Sequence, residues 1–305
     1  MTGRISDVLN KRCVAHRSGV LATEICTFRI GGPIAAVIEP LCLGELLRAI
    51  AVCQQEKIPF VVIGRGSNLL FGDGHMELVV IRTVHLNAIR ELGKGRLHVL
   101  CGTPLPALAR YAALKGLKGV SFACGIPGTL GGGIIMNAGA HQSALSDVVE
   151  QVTVFDQKNG CIRTLLNHEL SFSYRNCKIQ PNSAIVLSAV LQLNEGYDTQ
   201  LLLDEIKTML GHRKVTQPLD LPSAGSTFRR PTPDYTLSAL LDRLGVKGMR
   251  VGGAAVSEKH AGFIINIGKA TAKDVRSLIE NIQIVVEKET GFRPVPEIRF
   301  IPEEL

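Results

Sequence analysis

Between residues 27 and 123 the spacing of apolar positions changes period again and again. AAVIEP (35–40) is a short continuous apolar run and reads as a strand, after which Leu43, Leu46, Leu47, Ile50 and Cys53 recur every three or four residues, the stripe of a helix with one buried face. PFVVIG (59–64), ELVVIR (77–82) and LHVLCG (97–102) read as strands, and PLPALARYAALKGL (104–117) as a helix. This alternation predicts an α/β or α+β arrangement. Further on, EQVTVFD (150–156) and AIVLSAVLQL (184–193) predict antiparallel strands of a second lobe.

Turn residues at 195–198 mark a linker, and beyond it Leu202, Leu203, Ile206 and Leu210 fall on one helical face, where a C-terminal domain is expected to start. Its best-defined helix opens at Thr271, with Asp274 three residues on. It runs through Val275, Leu278, Ile279, Ile282, Val285 and Val286 and stops at Gly291, with a cap signature at each end.

Composition narrows the class. The 305 residues exceed what one apolar core usually organises, so about two domains are expected. With 46% hydrophobic and 20% charged residues the chain reads as globular, without long disordered tracts. Its net charge of +7 favours acidic partners, but the excess is scattered, no run of five basic residues occurs, and four Tyr with no Trp leave little surface for stacking bases. Small anionic ligands fit better than nucleic acid. The eight cysteines (13, 26, 42, 53, 101, 124, 161, 177) form no Cys-x-x-Cys pair and read as free thiols in a reducing cytoplasm. The N-terminal MTGRISDVLNKRC lacks a signal-peptide apolar region and AIVLSAVLQL is too short to span a bilayer, so no membrane association and no metal site are expected.

The candidate chemistry lies in two glycine clusters. GIPGTLGGGIIMNAGA (125–140) holds six glycines in sixteen positions and no charged residue, and GRGSNLL (64–70) follows a strand. Neither is a standard phosphate motif. Gly268-Lys269 lacks the Gly five residues earlier, where Phe263 stands, and has Ala270 in place of a metal-binding hydroxyl; GRGSNLL lacks the third glycine of a dinucleotide fingerprint. What remains is a pair of neutral loops able to aim several backbone N–H groups at an anion, and two such loops suggest a diphosphate. Ser67, Thr129, Asn68 and Asn137 add small polar groups to them.

TFRIGGP (27–33), GRGSNLL, GIPGTLGGGIIMNAGA, SYRN (173–176), PSAGSTFRRP (222–231), VSEKHAGFIIN (256–266) and PEIRFI (296–301) resemble, in order and spacing, the UDP-N-acetylenolpyruvoylglucosamine reductase (UDP-N-acetylmuramate dehydrogenase) family, over about residues 20–302. The resemblance implies an α+β protein with a vanillyl-alcohol-oxidase-type FAD-binding fold of two subdomains, about 1–83 and 84–198. An α+β substrate-binding domain at 199–305 follows, its last strand returning near the flavin. It further implies NADPH-dependent reduction of UDP-N-acetylglucosamine enolpyruvate to UDP-N-acetylmuramate in bacterial peptidoglycan precursor synthesis, by a cytoplasmic monomer with non-covalent FAD.

On this resemblance FAD is gripped by Gly64, Arg65, Gly66, Ser67 and Asn68 on one side and by Gly125, Ile126, Pro127, Gly128, Thr129, Gly132, Asn137, Ala138 and Gly139 on the other. Arg175 matches the arginine that clamps the substrate carboxylate, Ser226 the proton donor to the α carbon, and Glu297 the acid that assists the developing enolate. Without the resemblance, Thr227 is an equal candidate to Ser226. Arg213, Arg230 and Tyr174 match positions that hold the UDP diphosphate and sugar.

Departures from the pattern matter too. Residues 175–205 carry no inserted tyrosine-bearing loop, which places the chain in the shorter subclass; Ser238 and Ala239 stand where a Gly-Lys pair is usual; Cys177 follows SYRN; and the glycine loop ends in Gly139-Ala140-His141. The rival readings are a flavin-dependent oxidase of the same fold class, with His141 or Cys124 as attachment points, and an inactive UDP-sugar or flavin binding protein.

Overall fold

The computed structural model describes residues 2–232 and 237–302. The chain begins with α1 (Thr2–Lys11), β1 (Arg17–Leu21), β2 (Pro33–Ile38), α2 (Leu43–Gln55), β3 (Phe60–Ile63), β4 (Leu69–Phe71) and β5 (Met76–Arg82). β1, β2, β5 and β3 lie side by side in that order, with β2, β5 and β3 parallel and β1 antiparallel at the edge. The runs AAVIEP and ELVVIR have continuous apolar centres, 35–38 and 78–81, because their strands are covered on both faces. Ala36, Ile38, Val79 and Ile81 enter one core, and Val37 and Val80 enter the other.

The next segment supplies β6 (Ile89–Gly93), β7 (Arg96–Leu100), α3 (Leu105–Leu114), α4 (Leu130–Ile135), β8 (Gly139–Ala140), β9 (Ser143–Ala144), β10 (Val149–Asp156), β11 (Cys161–Leu166) and β12 (Ala184–Gln192). Five of these strands form an antiparallel sheet in the order β11-β10-β12-β7-β6, so the two runs expected to pair antiparallel do so. β12 is buried from Ile185 to Leu191, as befits the central strand, whereas β11 is a mostly exposed edge. β8 and β9 form a two-stranded hairpin whose tip residues, His141 and Gln142, both have positive φ.

The last segment holds α5 (Thr199–Thr216), β13 (Ser223–Ser226), α6 (Leu237–Arg243), β14 (Arg250–Val251), β15 (Ala254–Val256), β16 (Phe263–Asn266), α7 (Ala272–Thr290) and β17 (Arg299–Ile301). α5 was expected to open the substrate-binding domain. Its Leu202 and Ile206 instead join the first core, where they pack with α3 and the turn at 121–125, so the chain leaves that core only after Thr216. The second core is built from the antiparallel sheet β13-β16-β15-β14, α6 and α7, closed against Phe28, Phe71 and the far face of β2 and β5.

Three links tie this last part back to the first. β17 pairs in parallel with β4, Arg299 opposite Leu69 and Ile301 opposite Phe71. Asn266 Nδ2 donates to the carbonyls of Phe28 and Arg29, and Thr27 Oγ1 donates to that of Ser223, which explains why TFRIGGP and VSEKHAGFIIN both stand out as motifs. Finally, Asp73 accepts from the N–H groups of Ala272 and Lys273 at 2.6 and 3.1 Å, adding a second carboxylate to the Thr271–Asp274 capping box of α7. At its other end α7 stops at Gly291, in the left-handed conformation that a helix terminus favours in glycine.

Because two N–H groups at the start of α7 depend on a side chain from the other half of the molecule, Asp73→Ala is expected to lower stability by about 1–2 kcal/mol, the usual worth of an N-terminal cap. Urea unfolding checks this; a loss under about 0.3 kcal/mol would mean that Thr271 and Asp274 suffice alone.

Candidate active site

The three parts of the chain enclose a cavity of about 730 Å³. Two glycine loops form its floor, one running from the end of β3 to β4 and one leading into α4. They meet at Gly64, where an added Cβ would overlap the Thr129 hydroxyl, and again where Gly128 approaches Ser67. Gly66 has φ +63°, and a Cβ there would stand 2.8 Å from the Ile25 carbonyl oxygen, so this turn also requires glycine.

The polar groups of these loops are open to a ligand. Leu130 and Gly131 give their N–H groups to Thr103 and Cys101, yet among the described residues none of Arg65, Gly66, Ser67, Asn68, Gly128 and Thr129 gives its N–H to a backbone carbonyl. Thr129, buried to 1% exposure, has a hydroxyl with no hydrogen-bond partner. A neutral site of unpaired amides and an orphan hydroxyl suits an extended anion with its own apolar body, and a diphosphate with attached rings fits it. Gly125, Ile126, Pro127, Gly132, Ala138 and Gly139 also line the cavity. Asn137 does not. Its side chain is turned into the protein, donating to the Ser173 carbonyl and accepting from the Ser146 N–H, so it braces the glycine loop against SYRN.

Arg175, Ser226 and Glu297, 122 residues apart at the extremes, line the same cavity. Ser226 ends β13 and is exposed into the cavity. Thr227 is fully buried and its Oγ1 accepts from the Ile264 N–H, so of the two hydroxyls left open by the sequence it is Ser226 that lines the cavity. Glu297 is joined to this strand by its N–H, 2.8 Å from the Thr227 carbonyl oxygen. Its side chain is 12% exposed.

Arg175 sits in the tight Ser173–Asn176 turn with φ 55°, a left-handed conformation unusual for arginine. The guanidinium lies over the Tyr174 ring at 5.2 Å and donates to the Gly139 carbonyl at 3.1 Å. Its Nε is 2.9 Å from Glu297 Oε1, but the N–H is not aimed at that oxygen and has no hydrogen-bond acceptor among the described residues. The pair therefore attracts by charge while leaving a donor for a third group. Burial pushes the Glu297 carboxyl above its ordinary range; Arg175, and after it Arg229 and Arg230, pull the other way without cancelling the effect.

The expected substrate contacts are placed unevenly. The Arg230 N–H is 3.5 Å from the Tyr174 hydroxyl, so these two share one rim of the cavity. Arg213, in the last turn of α5, lies across Gly125, closer to the cofactor loop than the sequence placed it; a Cβ on Gly125 would stand 2.8 Å from Arg213 Cδ. His212, Ser238, His260 and Arg299 line the cavity too; of these only His212 gave no signal in the sequence. His141, at the tip of the strained β8–β9 hairpin, meets His212 edge-on at 6.5 Å. Cys124 is a buried thiol whose pKa burial raises, which makes it a poor nucleophile for attaching a flavin.

Comparison with known proteins agrees with this geometry. Residues 34–165 match the family model "FAD binding domain", and residues 217–301 match "UDP-N-acetylenolpyruvoylglucosamine reductase, C-terminal domain", which begins where the chain leaves the first core. The chain is 44% identical over 278 residues to the UDP-N-acetylenolpyruvoylglucosamine reductase of Caldanaerobacter subterraneus subsp. tengcongensis, covering 91% of each chain. It is 40% identical over 287 residues to that of Parasynechococcus marenigrum, covering 94% of this chain and 96% of the relative. The crystal structure of UDP-N-acetylenolpyruvylglucosamine reductase from Thermus caldophilus superposes with a TM-score of 0.79 at 33% identity, over 94% of this chain and 99% of that one.

The raised pKa of Glu297 has a thermodynamic consequence. A carboxyl that holds its proton more tightly in the fold than in the unfolded chain contributes stability that is fully present below its unfolded pKa and is lost as pH rises through the folded one. The stability of the wild type relative to Glu297→Gln should therefore be greatest in acid and fall as pH rises above the ordinary carboxylate range. Denaturant melts of both proteins test the sign, and a difference that grows with pH would mean that Arg175 holds Glu297 as the carboxylate.

Proposed function

The chain belongs to the UDP-N-acetylenolpyruvoylglucosamine reductase family, FAD enzymes of bacterial peptidoglycan precursor synthesis, and we propose that Arg175, Ser226 and Glu297 carry out its reduction of the enolpyruvyl ether to UDP-N-acetylmuramate. The observation that supports this assignment is that all three line the cavity shared with the two glycine loops, Arg175 against Glu297 and Glu297 bonded to the residue after Ser226. The two glycine loops would hold FAD, which when bound would supply the hydride chemistry between NADPH and the enolpyruvyl double bond.

The protein's own work is charge and proton placement. When a hydride reaches the terminal carbon, negative charge moves to the α carbon and its carboxylate, and the unpaired Arg175 Nε–H with the rest of the guanidinium receives it. Burial makes the Glu297 carboxyl harder to ionise, and in its protonated form it would donate a hydrogen bond to the developing enolate without adding a second negative charge. Ser226 delivers the proton to the α carbon. An alcohol suffices because an enolate carbon is strongly basic, and the arginines around Glu297 stabilise the alkoxide left behind.

Arg230 and Tyr174, on the outer rim, are proposed to hold the UDP-sugar, and Arg213 to neutralise a diphosphate that lies along Gly125. No helix among the described residues is long and apolar enough to cross a membrane, and no group of three or more His, Cys, Asp or Glu there is arranged to hold a metal. Action as a cytoplasmic monomer belongs to the same proposal.

Anaerobic half-reactions test this function directly. NADPH should bleach the bound flavin and the enolpyruvyl substrate should restore its colour; a protein that stays colourless with added FAD would sink the reading. Ser226→Ala should reduce nearly as fast as the wild type while reoxidation slows on the order of 10²-fold, since only that half needs a proton at carbon. Normal turnover would make a water the donor.

Arg230→Ala should weaken binding of UDP to the oxidised enzyme by about ten- to a hundredfold, the worth of one charge-assisted contact, with flavin content unchanged. Titration without nicotinamide reads this cleanly. Arg213→Ala in the same titration separates two roles: lost UDP affinity at full flavin content assigns it to the substrate, and lost flavin assigns it to the cofactor.

A further inference from the structure

We propose that Asn68 is a positioning residue for Glu297, fixing the strand that carries the acid to the loop that holds the cofactor. This rests on the role assigned to Glu297 above.

Asn68 Nδ2 donates to the main-chain carbonyl of Glu297 at 3.0 Å, and the main-chain carbonyl of Asn68 accepts from the Arg299 N–H at 3.0 Å. One residue thus holds both ends of the 297–299 segment, and Nδ2 also reaches Met136 Sδ at 4.0 Å, at the end of α4. Asn68 therefore touches the acid strand and the second glycine loop while sitting within the first. The other main-chain bond of Glu297, from its N–H to Thr227, ties it to the Ser226 strand. With its N–H on the proton donor's strand and its C=O on the cofactor loop, the residue has its peptide planes set on both sides, and its carboxyl is aimed between them.

The residue type fits the task. An amide on a short stem carries a donor to this distance. A serine ends one atom sooner, and aspartate, of the same shape, would set an acceptor against the Glu297 carbonyl oxygen. Parallel pairing of β17 with β4 begins only at Arg299, so Glu297 lies before that ladder, and on the side of the cofactor loop its carbonyl is held by the Asn68 side chain. Small displacements of a group that acts in a transition state cost rate steeply, about a hundredfold for an ångström.

Asn68→Ala and the isosteric Asn68→Asp, each loaded with FAD, test this. The limiting rate of flavin reoxidation by the enolpyruvyl substrate should fall at least about tenfold more than that of flavin reduction by NADPH, with little change in the substrate concentration needed. In a Glu297→Gln background, Asn68→Ala should slow reoxidation by less than about twofold, because the group it positions is already gone. Independently of turnover, amide hydrogen exchange across residues 296–301 should rise about tenfold in Asn68→Ala, with β16 unchanged. Parallel losses in both half-reactions together with lost flavin would make Asn68 a cofactor contact only, and unchanged reoxidation and exchange would overturn the proposal outright. If wild-type flavin is not reoxidised by the enolpyruvyl substrate, the substrate reading fails, and the exchange measurement still decides whether Asn68 holds the strand.

Discussion

The site depends on a strand of three residues. β17 returns from the far end of the chain to pair in parallel with β4, and that pairing brings Glu297 to the cavity between the glycine loops and Ser226. A pairing between residues about 230 apart is entropically costly to form, and it persists because its flanks are held elsewhere. Ile298 and Ile301 enter the second core with Leu70 and Phe71, the Gly72 N–H reaches the Ile301 carbonyl at 2.8 Å, and Asp73 caps α7 immediately beyond. The acid is thus held by packing from the same core that supports the Ser226 strand.

The cavity wall facing it works by the opposite means. Its loops carry almost no side-chain chemistry; their value lies in how closely the backbones approach one another, with Gly64 against Thr129 and Gly128 against Ser67. In the proposed function neutral amides hold the cofactor without strong point charges, and the cationic side chains act where charge develops in the reaction.

Burial of Glu297 beside Arg175 sets a tension that serves this arrangement. Desolvation favours the neutral acid, the guanidinium favours the carboxylate, and desolvation is the larger of the two effects. The strained backbone of Arg175 and its tether to Gly139 keep the guanidinium beside the carboxyl. The same tether links Arg175 to the end of one glycine loop, so the glycine loops are braced against Arg175 and Glu297 at two points, Gly139 and Asn68.

Much of this was legible in the sequence, for local reasons. The strands of the parallel sheet, α2, α3 and α7 with its two caps follow from apolar period and cap chemistry, and the glycine loops announce close backbone approach through composition alone. The resemblance carried by seven motifs added the family and the three catalytic candidates. Tertiary structure decided what no local pattern encodes. α5 has a helical stripe that suits either domain, and only the first core shows that Leu202 and Ile206 belong there. Asn137 and Asn68 look alike in a glycine-rich loop, yet one faces inward to brace SYRN and the other reaches across to Glu297. Ser226 and Thr227 are equivalent in sequence until strand register turns one to the cavity and buries the other. In each case the local pattern determines that an element or a polar group exists, and the contacts made by residues distant in sequence determine what it faces, because register and packing are properties of the assembled sheets and cores.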